Sequence, residues 1–259
     1  MSAGLFSAFF AALLRLGCGL WLAARMLGAP RWDWRALGVL AGGLAVFVAN
    51  WPNPLAMAVG LIGLNGAGKT TLLNVLSGLH PNCTVAAAQF QGAPLRFDDE
   101  VFKRQRYTVF AEDHAFGYLS FQEYLHYTCA AYDSAPQGVD ALLAGFHFDA
   151  YQHVPIRDLS TGNRKKAFLI TAFALRPPLL FLDEPVNGLD FQSTEFLYRT
   201  MAAYRAWGTL LFSSHVLESI TLTADRVLVL AEGRITRTFE DASDAQTIRE
   251  VLGHDRDAL

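Results

Sequence analysis

The strongest constraint on this chain is the run Gly63, Leu64, Asn65, Gly66, Ala67, Gly68, Lys69, Thr70 and Thr71. Ala58, Val59, Gly60, Leu61 and Ile62 precede it and form a short apolar stretch suited to a buried parallel strand. Residues 72–79 come after it with apolar side chains at helical spacing and a glycine near the end. A strand, a glycine-rich loop, Lys-Thr and a helix make a phosphate-binding arrangement. Glycine lets such a loop curl until successive backbone N–H groups point inward, and those groups join the helix N-terminus as a nest for anions. Lys69 is placed to reach the outer phosphates of a nucleotide, and Thr70 to put its hydroxyl on Mg²⁺.

From residue 56 onward, segments rich in Val, Leu and Phe alternate with helical patterns. That alternation predicts an α/β fold with a mostly parallel sheet and helices on its faces. Residues 84–97 read as short strands around a turn at Gln91, Gly92, Ala93 and Pro94. Residues 98–106 read as a polar helix and 106–110 as a strand, with Glu112, Asp113 and His114 just beyond it. Helices are expected at 121–132 and 139–146; Ser120 and Glu123 have the spacing of a capping box at the start of the first. Residues 225–230 and 234–238 read as a closing pair of strands around Gly233, and 242–259 as a polar, partly helical tail.

A second constellation begins at Leu159, Ser160, Thr161, Gly162 and Asn163, ahead of an apolar helical run at 167–175. Ser-Thr-Gly before a helix is by itself an ordinary N-terminal cap. Its neighbour in the chain gives it weight: Leu179, Leu180, Phe181 and Leu182 read as a buried strand that ends in Asp183 and Glu184. Ligands of parallel α/β sheets lie at the C-terminal edge of the strands, where these two carboxylates are delivered. Asp183 suits a Mg²⁺ ion through a bound water, and Glu184 suits a base that polarises an attacking water. Asn187, Gly188, Leu189 and Asp190 form a turn beside them, and the next strand, 209–213, leads into Ser214 and His215. A histidine at that strand end is placed to touch a terminal phosphate.

The first 55 residues read differently. Asp33 is their only acidic residue, Lys69 is the first lysine in the chain, and the segment is built from Ala, Leu, Gly, Trp and Arg. Its apolar runs are interrupted by Arg15 and Arg25 or fall short of the roughly 20 residues that span a bilayer. It also lacks the basic start of a signal peptide. Three readings stay open: a membrane-associating helix or hairpin, an irregular extension, or non-native coding sequence. Elsewhere composition mainly excludes. A net charge of −3 over 259 residues argues against a dedicated nucleic-acid binder. Cys18, Cys83 and Cys129 are too scattered for a zinc site and fit a reducing compartment.

With these motifs in order, residues 58–238 resemble the nucleotide-binding subunit of an ATP-binding cassette (ABC) transporter. The matched pieces are the P-loop 63–71, the signature-like segment 159–163, the acid-bearing Walker B strand 179–184, the D-loop-like turn 187–190 and the switch residue His215. The resemblance implies a P-loop ABC ATPase over 56–240, with a helical signature subdomain over about 114–166. It implies Mg²⁺-dependent hydrolysis of ATP in a head-to-tail dimer of two cassettes, homo- or heterodimeric. Each ATP would lie between one P-loop and the partner's Ser160, Thr161 and Gly162. Glu184 and His215 would be catalytic, Asp190 would couple the two sites, and Thr70, Asp183 and Glu112 would stand at the metal. A separate transmembrane permease would convert the cycle into transport, from the cytoplasmic face of the cell membrane.

The chain also departs from the family pattern. Glu112 stands where the family usually has a glutamine that senses Mg²⁺, the γ-phosphate and the permease. Asn163 and Thr161 replace a glutamine and a glycine. The antiparallel strands and adenine-stacking aromatic expected ahead of the P-loop have no counterpart in residues 1–54, so that subdomain reads as incomplete; Trp51 stands too close to Gly63 to serve. Phe116, Tyr118, Phe121 and Tyr124 read either as the lining of a permease-docking groove or as core. The leading function is an ATPase subunit of a simple exporter. The alternatives are a non-transport ABC ATPase or regulatory module, and an incompletely encoded, inactive cassette.

Overall fold

The computed structural model describes residues 57–80, 89–90, 93–97, 99–113, 115–242 and 246–251. The readings of residues 1–55, of Cys18 and Cys83 and of Trp51 lie outside the described residues.

Strand β1 (Ala58–Ile62) lies inside a six-stranded sheet. Its neighbours are β6 (Thr209–Ser214) and β7 (Arg226–Ala231), both parallel to it. Beyond β6 come β5 (Leu179–Leu182) and β4 (Arg106–Val109), again parallel. Only β8 (Arg234–Phe239), at the opposite edge, is antiparallel; it pairs with β7 as the expected closing hairpin. The parallel strands carry short apolar runs because both faces of the sheet are covered.

Alternation along each strand divides the core in two. Val59 and Leu61 of β1, Leu179 and Phe181 of β5, Leu211 of β6 and Leu228 and Leu230 of β7 enter one cluster. Their alternates Ala58, Ile62, Leu180, Leu182, Leu210, Phe212, Val227 and Val229 enter the other. The first is closed by Leu72, Leu73 and Leu76 of α1 (Lys69–Leu76) and by Phe102 of α2 (Glu100–Gln105). The second, larger cluster is centred on α5 (Thr161–Leu175), in which every residue from Lys165 to Leu175 is buried. That explains why α5 carries apolar side chains all round rather than along one stripe.

Helix α3 (Phe121–Ala131) and helix α4 (Val139–Gly145) form the helical part between β4 and α5. The capping box at α3 is present: Ser120 Oγ accepts from the Glu123 N–H, and Glu123 accepts from the Ser120 N–H. Phe121 meets Phe148 edge-on at 5.3 Å between ring centroids, and Tyr124 meets Phe168 of α5 in the same way at 5.3 Å. The first contact lies within the helical part, and the second docks it on α5.

The boundaries differ from expectation in two places. The phosphate-loop helix begins at Lys69, so Lys69 and Thr70 lie within its first turn rather than ahead of it. Ala93 and Pro94 belong not to a turn but to β3 (Ala93–Pro94), which pairs antiparallel with β2 (Gln89–Phe90). The signature helix starts at Thr161 with Ser160 as the cap that the Ser-Thr-Gly pattern suggested, and the apolar run 167–175 is its later part. The polar tail also contributes to the core: residues 246–251 are helical, and Ile248 is wholly buried.

Phe168→Ala should remove the ring that joins α5 to Tyr124. We expect a loss of about 3–5 kcal/mol in unfolding free energy, read as a lowered denaturation midpoint in urea.

Candidate functional site

The loop after β1 is shaped for close approach of an anion. Gly66 and Gly68 have φ of 81° and 103°, a region that side-chain-bearing residues rarely enter, and Gly68 is the N-cap of α1. The Ala67 N–H donates to the Leu64 carbonyl at 3.1 Å, and the Ala67 carbonyl accepts from the Gly233 N–H at 2.9 Å, which moors the loop to the β7–β8 turn. Lys69 Nζ folds back over the loop and donates to the carbonyls of Gly63 at 2.8 Å and Leu64 at 3.2 Å. The side chain is buried, so the loop's own oxygens hold its charge.

The two acids arrive from β5, on the far side of β6. Asp183 is wholly buried. Its Oδ2 accepts from the Thr70 hydroxyl at 2.8 Å and its Oδ1 from the Ser213 hydroxyl at 2.6 Å. Glu184 comes next with its backbone at φ 45°, a left-handed conformation costing about 1–3 kcal/mol for a residue with a side chain. Its carboxylate lies between two cations or potential cations: Lys69 Nζ is 3.6 Å from Oε1, and His215 Nδ1 is 2.8 Å from Oε2. An ionised carboxylate only accepts, so opposite the ionised form of Glu184 the histidine donates from Nδ1. Parallel pairing in the order β5-β6-β1 brings the three strand ends together and, with them, residues far apart in sequence.

The first turns of α5 supply two buried lysines. Lys165 Nζ donates to the carbonyls of Phe110 at 2.8 Å, Ala111 at 3.2 Å and Asp183 at 3.2 Å. An ammonium has three N–H donors, and here each has an acceptor. Burial lowers the Lys165 ammonium to about 8, against the opposing pull of Asp183, Glu184 and Asp113. Lys166 Nζ pairs with Asp190 Oδ2 at 2.7 Å. Asp190 also caps α6 (Phe191–Tyr204) by accepting from the Ser193 N–H at 2.8 Å. Its carboxyl titrates well below the usual carboxylate range, chiefly through the bond from Lys166 and then the Ser193 N–H. Close by, a Cβ on Gly162 would lie 2.5 Å from the Gly188 carbonyl, so the signature helix meets the 187–190 turn only because residue 162 has no side chain.

Comparison with known proteins agrees with this geometry. The family model described as ABC transporter matches residues 54–187. The putative ABC transporter ATP-binding protein AlbC of Bacillus subtilis is 37% identical over 211 residues, 76% of this chain and 86% of that protein. The chain belongs to the ABC transporter family. The xylose import ATP-binding protein XylG of Burkholderia ambifaria is 28% identical over 211 residues, 75% of this chain and 40% of that protein. A solved ATP-binding subunit of an ABC transporter superposes with a TM-score of 0.66 at 28% identity, covering 76% of this chain and 83% of that one.

In this cassette the fold gathers Lys69, Thr70, Asp183, Glu184 and His215 into one bonded group. Ser160, Thr161 and Gly162 are not part of it: no hydrogen bond among the described residues joins them to the 63–71 loop, and Ser160 Oγ is spent accepting the Asn163 N–H at 3.2 Å. Glu112 is exposed on the bend after β4 and makes no hydrogen bond or ion pair to Thr70 or Asp183. The four aromatics differ in burial. Phe121 and Tyr124 are core, whereas Phe116 and Tyr118 are exposed, with Phe116 against Tyr124 and Tyr127 and Arg157 over the ring of Tyr118. Sequence reasoning gave Lys165, Lys166 and Ser213 no task. The available signal was a Lys pair directly ahead of an unbroken apolar helix, where a charge has no route to solvent.

A hydroxyl, a carboxylate and phosphate oxygens are the hard donors that Mg²⁺ takes, with waters completing an octahedron. Thr70 and Asp183, already 2.8 Å apart, therefore fit that ion.

Asp190→Asn keeps a good helix cap but removes the charge opposite buried Lys166. The native carboxyl is depressed, so its contribution is present above the unfolded value and lost as pH falls through the native one. At pH 7 the variant should melt about 2 °C below the parent, and the gap should close on acidification below about pH 4, measured by thermal melts across pH.

Proposed function

We propose that this chain hydrolyses ATP with Mg²⁺ and that the energy drives a transporter through a separate permease, in the export direction. The observation that carries the reading is the bonded group at the ends of β1, β5 and β6. Lys69 and the inward N–H groups of the loop would hold the β- and γ-phosphates. Bound Mg²⁺ would neutralise charge on the transferring phosphoryl group. Glu184, oriented by His215 Nδ1, would accept a proton from the attacking water, and the buried setting would keep bulk water from it.

Ser160, Thr161 and Gly162 stand apart from the P-loop of their own chain, which supports a head-to-tail pair in which they close on the nucleotide of a second cassette, as implied by the family pattern. The positive end of α5 would then face the γ-phosphate. Exposed Phe116 and Tyr118 beside the Glu112 bend support docking of a permease there, on the cytoplasmic face of the membrane. No helix among the described residues is long and apolar enough to cross a membrane. The xylose-import relative is built on the same kind of cassette, so direction is a property to be read from transport itself: with permease reconstituted and ATP outside inverted vesicles, export appears as accumulation inside.

Glu184→Gln should retain nucleotide and lower the hydrolysis rate by about 100-fold or more. Lys69→Ala should weaken binding as well as turnover. Phosphate release and nucleotide titration of the two variants beside the parent check both. Full turnover by Glu184→Gln would remove Glu184 from the role of base.

A further inference from the structure

The hydroxyl of Ser213 is used in both directions at once. It donates its one hydrogen to Asp183 Oδ1 at 2.6 Å and accepts the backbone N–H of Glu184 at 2.9 Å. Ser213 is wholly buried in β6, between the strand that carries the acids and the strand that leads into the phosphate loop. With Thr70 on Asp183 Oδ2 at 2.8 Å, the metal-facing carboxylate is fixed through both oxygens. The Glu184 peptide is the strained one, at φ 45°, and a backbone in that region persists only where its surroundings dictate it. The bond to Ser213 is the contact made by its N–H. Loss of the hydroxyl would leave a buried N–H and a buried carboxylate oxygen without their partner, and the Glu184 peptide would be free to relax.

We propose that Ser213 is a positioning residue for hydrolysis, aiming the metal-facing Asp183 and the base Glu184 through a single hydroxyl. This rests on the roles given to those two acids under the proposed function. It acts on the direction of the Glu184 side chain rather than on the grip on nucleotide, which comes from Lys69 and the loop. Misplacement of a base by a fraction of an ångström to an ångström costs rate far more than affinity.

The test uses the intact chain with Ser213→Ala, Ser213→Cys and Ser213→Thr, each alone and combined with Glu184→Gln. Cysteine keeps the volume with a weak donor and acceptor, so it reports on the hydrogen bonds should the alanine variant not fold; threonine keeps the hydroxyl. Measurements are kcat and KM for ATP with Mg²⁺, binding of a non-hydrolysable ATP analogue, and the melting temperature. Alanine and cysteine are expected to lower kcat on the order of 10- to 100-fold, with analogue affinity within about threefold, and threonine to restore most of the rate. On the Glu184→Gln background the same substitutions should cost clearly less than on the parent, because the part that acts through Glu184 is already gone and only the part that acts through Asp183 is left. Wild-type kcat in the cysteine variant would overturn the proposal, as would an equal loss on both backgrounds or a loss of analogue binding that matches the loss of rate. Full activity in Glu184→Gln alone would instead overturn the assignment of the base, and a parent chain without hydrolysis would overturn the proposed ATPase function itself.

Discussion

The Asp183 side chain and its own carbonyl join three segments of the chain. Thr70 from the phosphate loop bonds one carboxylate oxygen, Ser213 from β6 bonds the other, and Lys165 from the signature helix bonds the carbonyl. A wholly buried carboxylate is costly unless its oxygens are satisfied, and satisfying them requires that these three elements be in register. The position of this one residue therefore depends on the sheet order, on the start of α1 at Lys69 and on the depth at which α5 lies over the sheet.

The same constraint explains how so much charge is tolerated inside. Lys69, Lys165 and Lys166 are buried, as are Asp183 and Glu184. Each ammonium is matched by oxygens. Lys69 takes two loop carbonyls and stands near Glu184; Lys165 takes three carbonyls; Lys166 takes Asp190. Carbonyls satisfy donors but do not cancel charge, which is why burial still draws Lys165 down to about 8. Such an arrangement adds little net stability over an apolar core, but it makes wrong alternatives expensive: an element shifted by one residue would strand a charge.

Local patterns in the sequence carried most of the fold. Runs rich in Val, Leu and Phe and the turn at Gly233 located all six strands of the main sheet, and the capping box at Ser120 and Glu123 stands as its spacing suggested. Motif order located Lys69, Thr70, Asp183, Glu184 and His215, which the structure joins directly. What was illegible depends on pairing between distant segments. Ser213 looks like any polar residue ending a strand until β6 is inserted between β5 and β1. Lys165 looks like a solvated residue in a basic cluster until α5 is laid against the sheet. The start of α1 was placed late because Gly68 acts as its cap in a loop that local hydrophobicity does not mark. Phe116 and Phe121 are chemically alike and five positions apart, yet only packing assigns one to the surface and the other to the core.

The short covalent path between Glu184 and Asp190 has a mechanical consequence. The Asn187 N–H returns to the Glu184 carbonyl at 3.2 Å, Gly188 rests against Gly162, and Asp190 is tied to Lys166. Glu184, the 187–190 turn and the N-terminus of the signature helix thus form one braced corner. Lys165, the adjacent residue on that helix, extends the brace to the backbone of Phe110 and Ala111, just ahead of the Glu112 bend. Displacement of this corner has little room to be absorbed locally, because its contacts are short hydrogen bonds and a glycine-to-carbonyl approach rather than deformable side-chain packing. A force applied at residues 160–162 or at the 110–113 bend would therefore be felt at the Glu184 peptide, whose left-handed backbone is the least stable conformation in the group.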